Sequence, residues 1–511
     1  MNIAELVRYW ARWRPGHSAI IHDDLHMSWA ELDARSDAIA RGLRAAGVGK
    51  GDRVGLLLTN RVEAPLVTIA TLKLGAIFVP LNFRLTGPEL VPLLEDADCT
   101  LVVTEAAHLA QLEAAKRTLP FAVYVLGSGD ALPFADLELE SGPAPQEAIA
   151  LSDPGFICYT SGTTGQQKGA LLTHGGAIYP GMAKNIAEGL TWRDKIMVAV
   201  PYVFTGALIS CFIQFTVNAG GTMVLESDFD IDRYLRVIEK HRVSVATTVP
   251  VIWERLMRSP DFERADLSWM ISAAAGGAPV SVDLIEAYKA KGIAMIQSYG
   301  LTEASGLVGT MHSEDAMRRI GWAGRAIMGT EFRIGDHAGN TLPLGETGEI
   351  MVKGPHVMQG YWRKPEVTAE TIVDGWLRTG DVGMMDEEGF VKIMDRAKDM
   401  LISGGINVYP AEIEKALAGV PGFRELAVIG VPDKDWGEVP MIVASGVSDE
   451  AGLARAIEAE GAEALAKFKR PKSMVCLTEA LPRTLSGKVS KPTLRKMFPQ
   501  VPEGAQRLFA A

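Results

Sequence analysis

The chain has 511 residues, of which 51 are Lys or Arg and 62 are Asp or Glu, for a formal charge of −11. At roughly 150 residues per domain this length predicts about three folding units. An apolar share of 48% against 22% charged excludes bulk disorder. The acidic balance disfavours a nucleic-acid polymer or an anionic membrane as the main partner, and a chain this long buries several cores without disulfide or metal staples.

The first residues, Met1-Asn2-Ile3-Ala4-Glu5, lack the basic start and apolar run of a signal peptide. Apolar runs then alternate with amphipathic stretches. The predicted strands are 54–58, 77–80, 101–104, 156–160, 196–200, 222–225, 269–273 and 294–297, and helices are predicted over 62–74, 231–240 and 280–291. Such alternation predicts an α/β fold with two stacked, mostly parallel sheets. The most apolar stretch, 207–225, is broken by Gln214, Asn218 and Gly220-Gly221. It reads as a buried helix, a turn and a strand, so no membrane span is expected. From about Gly321 the pattern shifts to short strands, 321–325, 330–334 and 349–353, between Gly- and Pro-bearing turns. That predicts a β-rich subdomain over about 321–397, closing a large N-terminal domain of 1–397. The remainder, 398–511, mixes helices (410–417, 449–468) with strands (427–431, 441–444, 473–477) and reads as a small α+β domain.

Four cysteines, Cys99, Cys158, Cys211 and Cys476, are far apart and form no CxxC. They suit a reducing cytosol, hence a cytoplasmic location, and read as buried small hydrophobes. The nine histidines show no metal-ligand spacing, so no zinc site is expected.

The clearest local pattern is Tyr159-Thr160-Ser161-Gly162-Thr163-Thr164-Gly165-Gln166-Gln167-Lys168-Gly169, directly after a predicted strand. Glycines allow a tight fold that aims N–H groups at an anion. The hydroxyls of Thr160, Ser161, Thr163 and Thr164 can donate to phosphate oxygens, and Lys168 adds charge. The Walker pattern fails because position 167 is Gln rather than Gly, so this is a phosphate cradle of another kind.

This segment resembles the signature of the adenylate-forming superfamily, which includes acyl-CoA synthetases, adenylation domains of peptide synthetases and beetle luciferases. Further segments resemble that family's motifs in order: Gly276-Gly277-Ala278-Pro279 (adenine side), Tyr299-Gly300-Leu301-Thr302-Glu303, Trp376-Leu377-Arg378-Thr379-Gly380-Asp381 (ribose), Asp395-Arg396-Ala397-Lys398-Asp399 (hinge) and Pro482-Arg483-Thr484-Leu485-Ser486-Gly487-Lys488. The resemblance covers nearly the whole chain and implies that 398–511 is a mobile lid.

It also implies roles. Lys488, Glu303 and Thr163 would be catalytic. The nucleotide would be held by Thr160, Ser161, Gly162, Thr163, Thr164, Gly165, Lys168, Gly277, Ala278, Pro279, Tyr299, Gly300, Thr302, Asp381, Arg396 and Lys488. Glu303, with Thr160 near it, would take Mg²⁺, which prefers hard oxygen ligands. Asp381 would accept from the ribose diol, and Arg396 would reach ribose or phosphate. Lys488 would bring charge to the α-phosphate and carboxylate, and Lys398 would be the hinge.

For the second step, coenzyme A is the expected co-substrate. Between Lys467 and Lys496 nine Lys/Arg stand against one acid, Glu479, a net +8 that can steer its phosphates. Arg470 and Lys472 resemble phosphate-facing residues of aryl-CoA ligases. Trp436 resembles an adenine-stacking ring, and Gly404 and Gly405 resemble a loop lining the pantetheine tunnel. For the acid, Tyr202, Phe204, Ala274, Ala275, Ser305 and Gly306 are expected at the pocket. Phe204 stands where relatives often carry histidine, which makes that wall apolar and disfavours a second charge. A fatty, aromatic or alicyclic acid fits.

The expected activity is ATP-dependent formation of an acyl-CoA through acyl-AMP, with release of AMP and pyrophosphate. The alternatives are an adenylating enzyme that loads a carrier-protein thiol or another acceptor, and a nucleotide sensor without turnover. Oligomeric state is not legible, with a homodimer one option.

Overall fold

In the computed structural model, which describes residues 2–160, 167–227, 230–276, 280–312, 314–396, 398–403, 406–484 and 488–509, two capping boxes open the chain. Asn2 and Glu5 bond each other's backbone N–H groups at the start of helix Ile3–Trp13. Ser28 and Glu31 do the same for helix Trp29–Ala45. Each box satisfies two N–H groups that a helix start leaves unpaired.

The chain forms two compact units. One holds Met1–Phe332, Met351–Arg378 and Glu388–Val391, and the other holds Arg333–Ile350, Thr379–Glu387 and Lys392–Ala511. The units thus interleave along the chain.

The first unit contains two large sheets. The eight-stranded one runs, edge to edge, Gly360–Tyr361, Lys168–Thr173, Pro154–Thr160, Ile77–Pro80, Arg53–Leu57, Leu101–Glu105, Ala122–Leu126 and Leu132–Pro133. It is parallel from Pro154–Thr160 onward and antiparallel at the end formed by Lys168–Thr173 and Gly360–Tyr361. The nine-stranded sheet runs Arg325–Ala326, Gly309–Thr310, Ala294–Tyr299, Ser272–Gly276, Val245–Thr248, Lys195–Val198, Thr222–Leu225, Ser18–His22 and Leu25–Ser28. Its interior strands are parallel and buried on both faces, which is why they read as continuous apolar runs. Trp253, Tyr288, Tyr234 and Phe262 fill one of its cores. Lys73, buried in helix Glu63–Lys73, is neutralised by Asp33 and Asp37 at 2.6 and 2.7 Å, as a buried charge requires.

The apolar stretch at 207–225 becomes a helix, a turn and a strand. The helix, Gly206–Val217, is wound with the wide π turn, a rare geometry. Thr216 Oγ1 returns to the Cys211 carbonyl at 3.1 Å. Two predicted strands differ. The one at 269–273 lies at Ser272–Gly276, because Met270 closes a turn onto Leu267 and the ladder is set by Val245–Thr248 and Ala294–Ser298. The one at 321–325 is largely a turn: Gly321 and Gly324 have φ of +82° and +96°, and only Arg325–Ala326 extends.

The β-rich stretch forms a five-stranded sheet in the order Glu331–Gly335, Gly348–Lys353, Trp376–Met385, Ile372–Val373, with Val391–Arg396 also pairing Trp376–Met385. In the second unit, Glu425–Asp433 and Gly437–Ser445 form a long antiparallel pair, and Ser473–Leu477 adds in parallel. Strand parity divides its core. Val428, Ile442 and Met474 pack with Ile413, Leu453 and Ile457 of helices Pro410–Ala416 and Glu450–Ala464. Ala427, Ile429, Met441 and Val443 pack with Leu494 of helix Lys491–Met497 on the opposite face.

Candidate active site

Strands Pro154–Thr160 and Lys168–Thr173 pair up to Thr160 opposite Lys168. The phosphate-type segment between them is thus closed at its base. Ser161, Gly162, Thr163, Thr164 and Gly165 lie outside the described residues, as do Gly277, Ala278 and Pro279 of the adenine-side segment and Gly404 and Gly405 of the tunnel segment. The base of the loop meets the second motif. Glu303 Oε1 accepts from Thr160 Oγ1 at 3.2 Å and from the Tyr361 hydroxyl at 3.0 Å. Lys168 Nζ sits 5.2 Å over the Tyr361 ring. Burial, and next the Glu303 charge, push the Tyr361 phenol above its ordinary value, so it stays a donor. Tyr361 escaped the sequence reading; its partners are 58 and 193 positions away, and only the aromatic beside Gly360 could have signalled it. Glu303 Oε2 accepts no hydrogen bond among the described residues. A free carboxylate oxygen beside a threonine hydroxyl is the hard-oxygen donor set that suits Mg²⁺.

The turn carrying Glu303 is held tightly. A Cβ on Gly300 would lie 1.7 Å from the Gly306 carbonyl oxygen, so only glycine fits there. Ser305 and Gly306 follow at φ of +53° and +93°, and the π helix supports them, with Gln214 Nε2 donating to the Ser305 carbonyl at 2.6 Å. Ser305 is buried and its hydroxyl donates to the His356 carbonyl at 2.9 Å. Thr302 Oγ1 lies 3.0 Å from Thr205 Oγ1, next to Phe204, and Tyr299 is buried with its ring 6.2 Å from that of Phe332.

Of the expected acyl residues, Phe204 is half-buried. Tyr202 is fully enclosed: its hydroxyl lies 3.1 Å from Thr68 Oγ1, and its N–H donates to Asn60 Oδ1 at 2.6 Å. Ala275 belongs to the core around Trp253, whereas Ala274, on the opposite strand face, does not. Strand parity makes this division, which composition alone does not reveal.

In the second unit, Arg396 Nε lies 2.6 Å from Asp381 Oδ1. Asp381 is buried, its N–H donating to Thr379 Oγ1 at 3.1 Å. Lys488 accepts, through its carbonyl, from the Thr484 N–H at 2.6 Å. Its ammonium is held below the ordinary lysine value by partial desolvation and then by Arg396, with Asp381 acting oppositely. The three residues therefore share one electrostatic environment. Around the expected hinge, Asp395 accepts from the Ala411 N–H at 2.8 Å, and Asp399 accepts from Arg495 Nη1 at 2.9 Å. Lys398 between them is exposed.

The basic tail is less free than its count implied. Lys469, Arg483, Lys491 and Arg495 pair with Glu412, Glu425, Glu414 and Asp399 of the same unit. Arg470 donates to the carbonyls of Leu465 and Ala462 at 3.0 and 2.7 Å, closing helix Glu450–Ala464. Trp436 is 44% exposed, and Lys472 Nζ lies 5.9 Å over its ring, so this pair keeps an open aromatic face beside a cation.

A cavity of about 310 Å³, lined by His22, Thr59, Asn60, Arg61, Val62, Glu63 and Ser227, contains none of the sequence-predicted residues. Among the described residues no group of His, Cys, Asp and Glu could hold a metal by itself, and no helix is long and apolar enough to cross a membrane. Cys99, Cys158 and Cys211 are buried and all four thiols are free. Burial pushes those three up to about 12.

The model of the AMP-binding enzyme family matches residues 7–362, and that of the AMP-binding enzyme C-terminal domain matches 412–488. The chain is 38% identical over 502 residues to a feruloyl-CoA synthase of an Amycolatopsis species, covering 96% of this chain and 97% of that one. It is 36% identical over 503 residues to the long-chain-fatty-acid–CoA ligase FadD13 of Mycobacterium tuberculosis, covering 97% and 98%. Among solved structures it resembles ATP-bound MatB from Rhodopseudomonas palustris, with a TM-score of 0.89, 34% identity and coverage of 98% and 100%.

Proposed function

The chain belongs to the AMP-binding enzyme family, and from that premise we propose that it is an AMP-forming acyl-CoA ligase acting on an apolar carboxylic acid. The observation that carries this is end-to-end similarity to ligases that make CoA thioesters, across both the large and the C-terminal family regions. In the first step the carboxylate attacks the α-phosphorus of ATP, and pyrophosphate leaves. In the second, the CoA thiol, giving up its proton, attacks the acyl carbon, and AMP leaves.

Glu303 and Thr160 are the residues that would hold Mg²⁺, which neutralises phosphate charge when bound. Lys168 and the segment from Thr160 to Gly165 cradle phosphate. Asp381, fixed by Thr379 and Arg396, accepts from the ribose hydroxyls. Lys488 brings its ammonium to the α-phosphate and carboxylate oxygens, where developing charge is stabilised most effectively by a preorganised cation. The 398–511 segment acts as a mobile lid about Lys398, so that Lys488 serves the first step and Trp436 with Lys472 the CoA of the second. Half-buried Phe204 supplies an apolar wall, which suits fatty and aromatic acids. Free, buried thiols suit a reducing compartment, the cytoplasm.

A panel of fatty, aromatic and alicyclic acids, assayed for AMP release with and without CoA, tests the proposal. A CoA thioester from at least one apolar acid is expected. Pyrophosphate exchange without thioester would assign the adenylate to another acceptor.

A further inference from the structure

We propose that Tyr361 is a positioning residue that orients the Glu303 carboxylate and keeps Lys168 off it, so that the carboxylate remains available to a divalent cation carried on a nucleoside triphosphate. This rests on the ATP-dependent chemistry proposed above.

Glu303 lies on a short turn between Leu301 and Ser305, where a carboxylate has rotational freedom. Two hydroxyls, from Thr160 and Tyr361, donate to its Oε1. Two donors on one oxygen fix the carboxylate plane and leave Oε2 open. The Tyr361 contact, at 3.0 Å, is the shorter. Thr160 Oγ1 also lies 3.4 Å from the Lys168 carbonyl, so its hydroxyl proton is shared between two acceptors.

Tyr361 is itself held by backbone. It pairs with Ala170 on the strand that leaves the phosphate-type segment, and its N–H donates to Thr368 Oγ1 at 2.8 Å. The next residue, Trp362, donates to the Gly169 carbonyl at 2.7 Å. A side chain so anchored moves with that strand, and Glu303 is tied to it.

The ring has a second task. Lys168 Nζ lies over its face, and Lys168 and Glu303 form no ion pair among the described residues. Cation–π attraction holds the ammonium where the carboxylate cannot reach it. Without the ring, Lys168 can close onto Glu303, and the pair would neutralise both the cation ligand and the phosphate ligand.

Two variants separate these tasks. Tyr361→Phe keeps the ring and removes the hydroxyl; Tyr361→Ala removes both. Calorimetric titration of the purified full chain is expected to show MgATP binding about tenfold weaker in Tyr361→Phe, the scale of losing a hydrogen bond to a charged group at a half-exposed site. Metal-free ATP binding should stay at the wild-type value in that variant. Tyr361→Ala should weaken both forms, because Lys168 is lost to phosphate as well. Thioester formation from synthetic acyl-AMP and CoA should be unchanged in Tyr361→Phe. MgATP affinity within about twofold of wild type in Tyr361→Phe, or equal weakening with and without metal, would overturn the assignment. So would a wild-type chain that binds ATP equally with and without Mg²⁺. A wild-type chain that binds MgATP metal-dependently yet makes no thioester refutes the ligase proposal instead and leaves this assignment standing.

Discussion

Replacing Gly300 by alanine tests the claim that backbone contact, rather than side-chain choice, sets the Glu303 carboxylate. The added Cβ would stand 1.7 Å from the Gly306 carbonyl oxygen, 2.6 Å from its carbon and 3.0 Å from Leu307 Cα. Real Cβ atoms do not approach closer than 3.0 Å, so one side of the loop must move by at least about 1.3 Å. The obstacle is backbone, which cannot rotate aside as a side chain can. Overpacking of this kind costs about 1–3 kcal/mol of stability. The larger effect is on geometry: Glu303 sits between the two glycines, and its contacts to Thr160 and Tyr361 are 3.2 and 3.0 Å. A shift of 1 Å or more breaks one of them. Displacement on that scale lowers turnover by about 100-fold in positioned active sites. Pyrophosphate exchange at varied MgATP, with a thermal melt in parallel, reads both consequences. The expected result is a modest fall in Tm with a steep loss of kcat/KM for MgATP. Wild-type MgATP dependence would show that the 300–306 turn does not position Glu303.

Lys488→Ala should abolish acyl-AMP formation while retaining thioester synthesis from supplied acyl-AMP; equal loss of both half-reactions would contradict its assignment to the first step. Arg470→Ala should lower Tm by removing the two donors that close helix Glu450–Ala464, with little change in KM for CoA, whereas Trp436→Ala should raise that KM and leave Tm nearly intact; the reverse pattern in steady-state kinetics would reassign the two residues. His174 and His356 are buried and neutral, desolvation pushing each down to about 4. An unfolded histidine binds its proton near 6.5, so their contribution is fully present above that pH and is lost as pH falls toward 4, by about 3 kcal/mol each. Denaturant midpoints measured from pH 7 to 4.5 should decline, and His174→Gln should flatten the slope; an unchanged slope would argue against a buried neutral imidazole.

Local patterning made much of the fold legible. Strands at Ile77–Pro80, Thr222–Leu225 and Ser473–Leu477 are bounded by turn residues and coincide with the predicted ranges. Where reading failed, a non-local contact decided. Gly321 and Gly324 take left-handed φ, a Cβ on Gly324 would meet the Thr310 backbone at 2.2 Å, and only Arg325–Ala326 of the stretch read as a strand extends. The helix expected to reach Phe468 stops at Ala464, where Arg470 folds back on its carbonyls. A net charge of +8 records which residues are present, not that Lys469, Arg483, Lys491 and Arg495 are already paired with Glu412, Glu425, Glu414 and Asp399.

The resemblance carried by six ordered segments, 159–169, 276–279, 299–303, 376–381, 395–399 and 482–488, determined the family and with it the chemistry class, because each segment brings particular residue types at short spacing. Local periodicity likewise determined the α/β architecture, since burial on two faces leaves continuous apolar runs. The tertiary structure alone decided which groups meet. Tyr361 reaches Glu303 because Gly360–Tyr361 adds to the edge of the eight-stranded sheet, a pairing across almost 200 residues that no local pattern encodes. The same holds for Ser305 and Tyr202, whose polar groups are taken up by His356, Thr68 and Asn60. Residue type states what a side chain can do, and only packing states which partner it does it with.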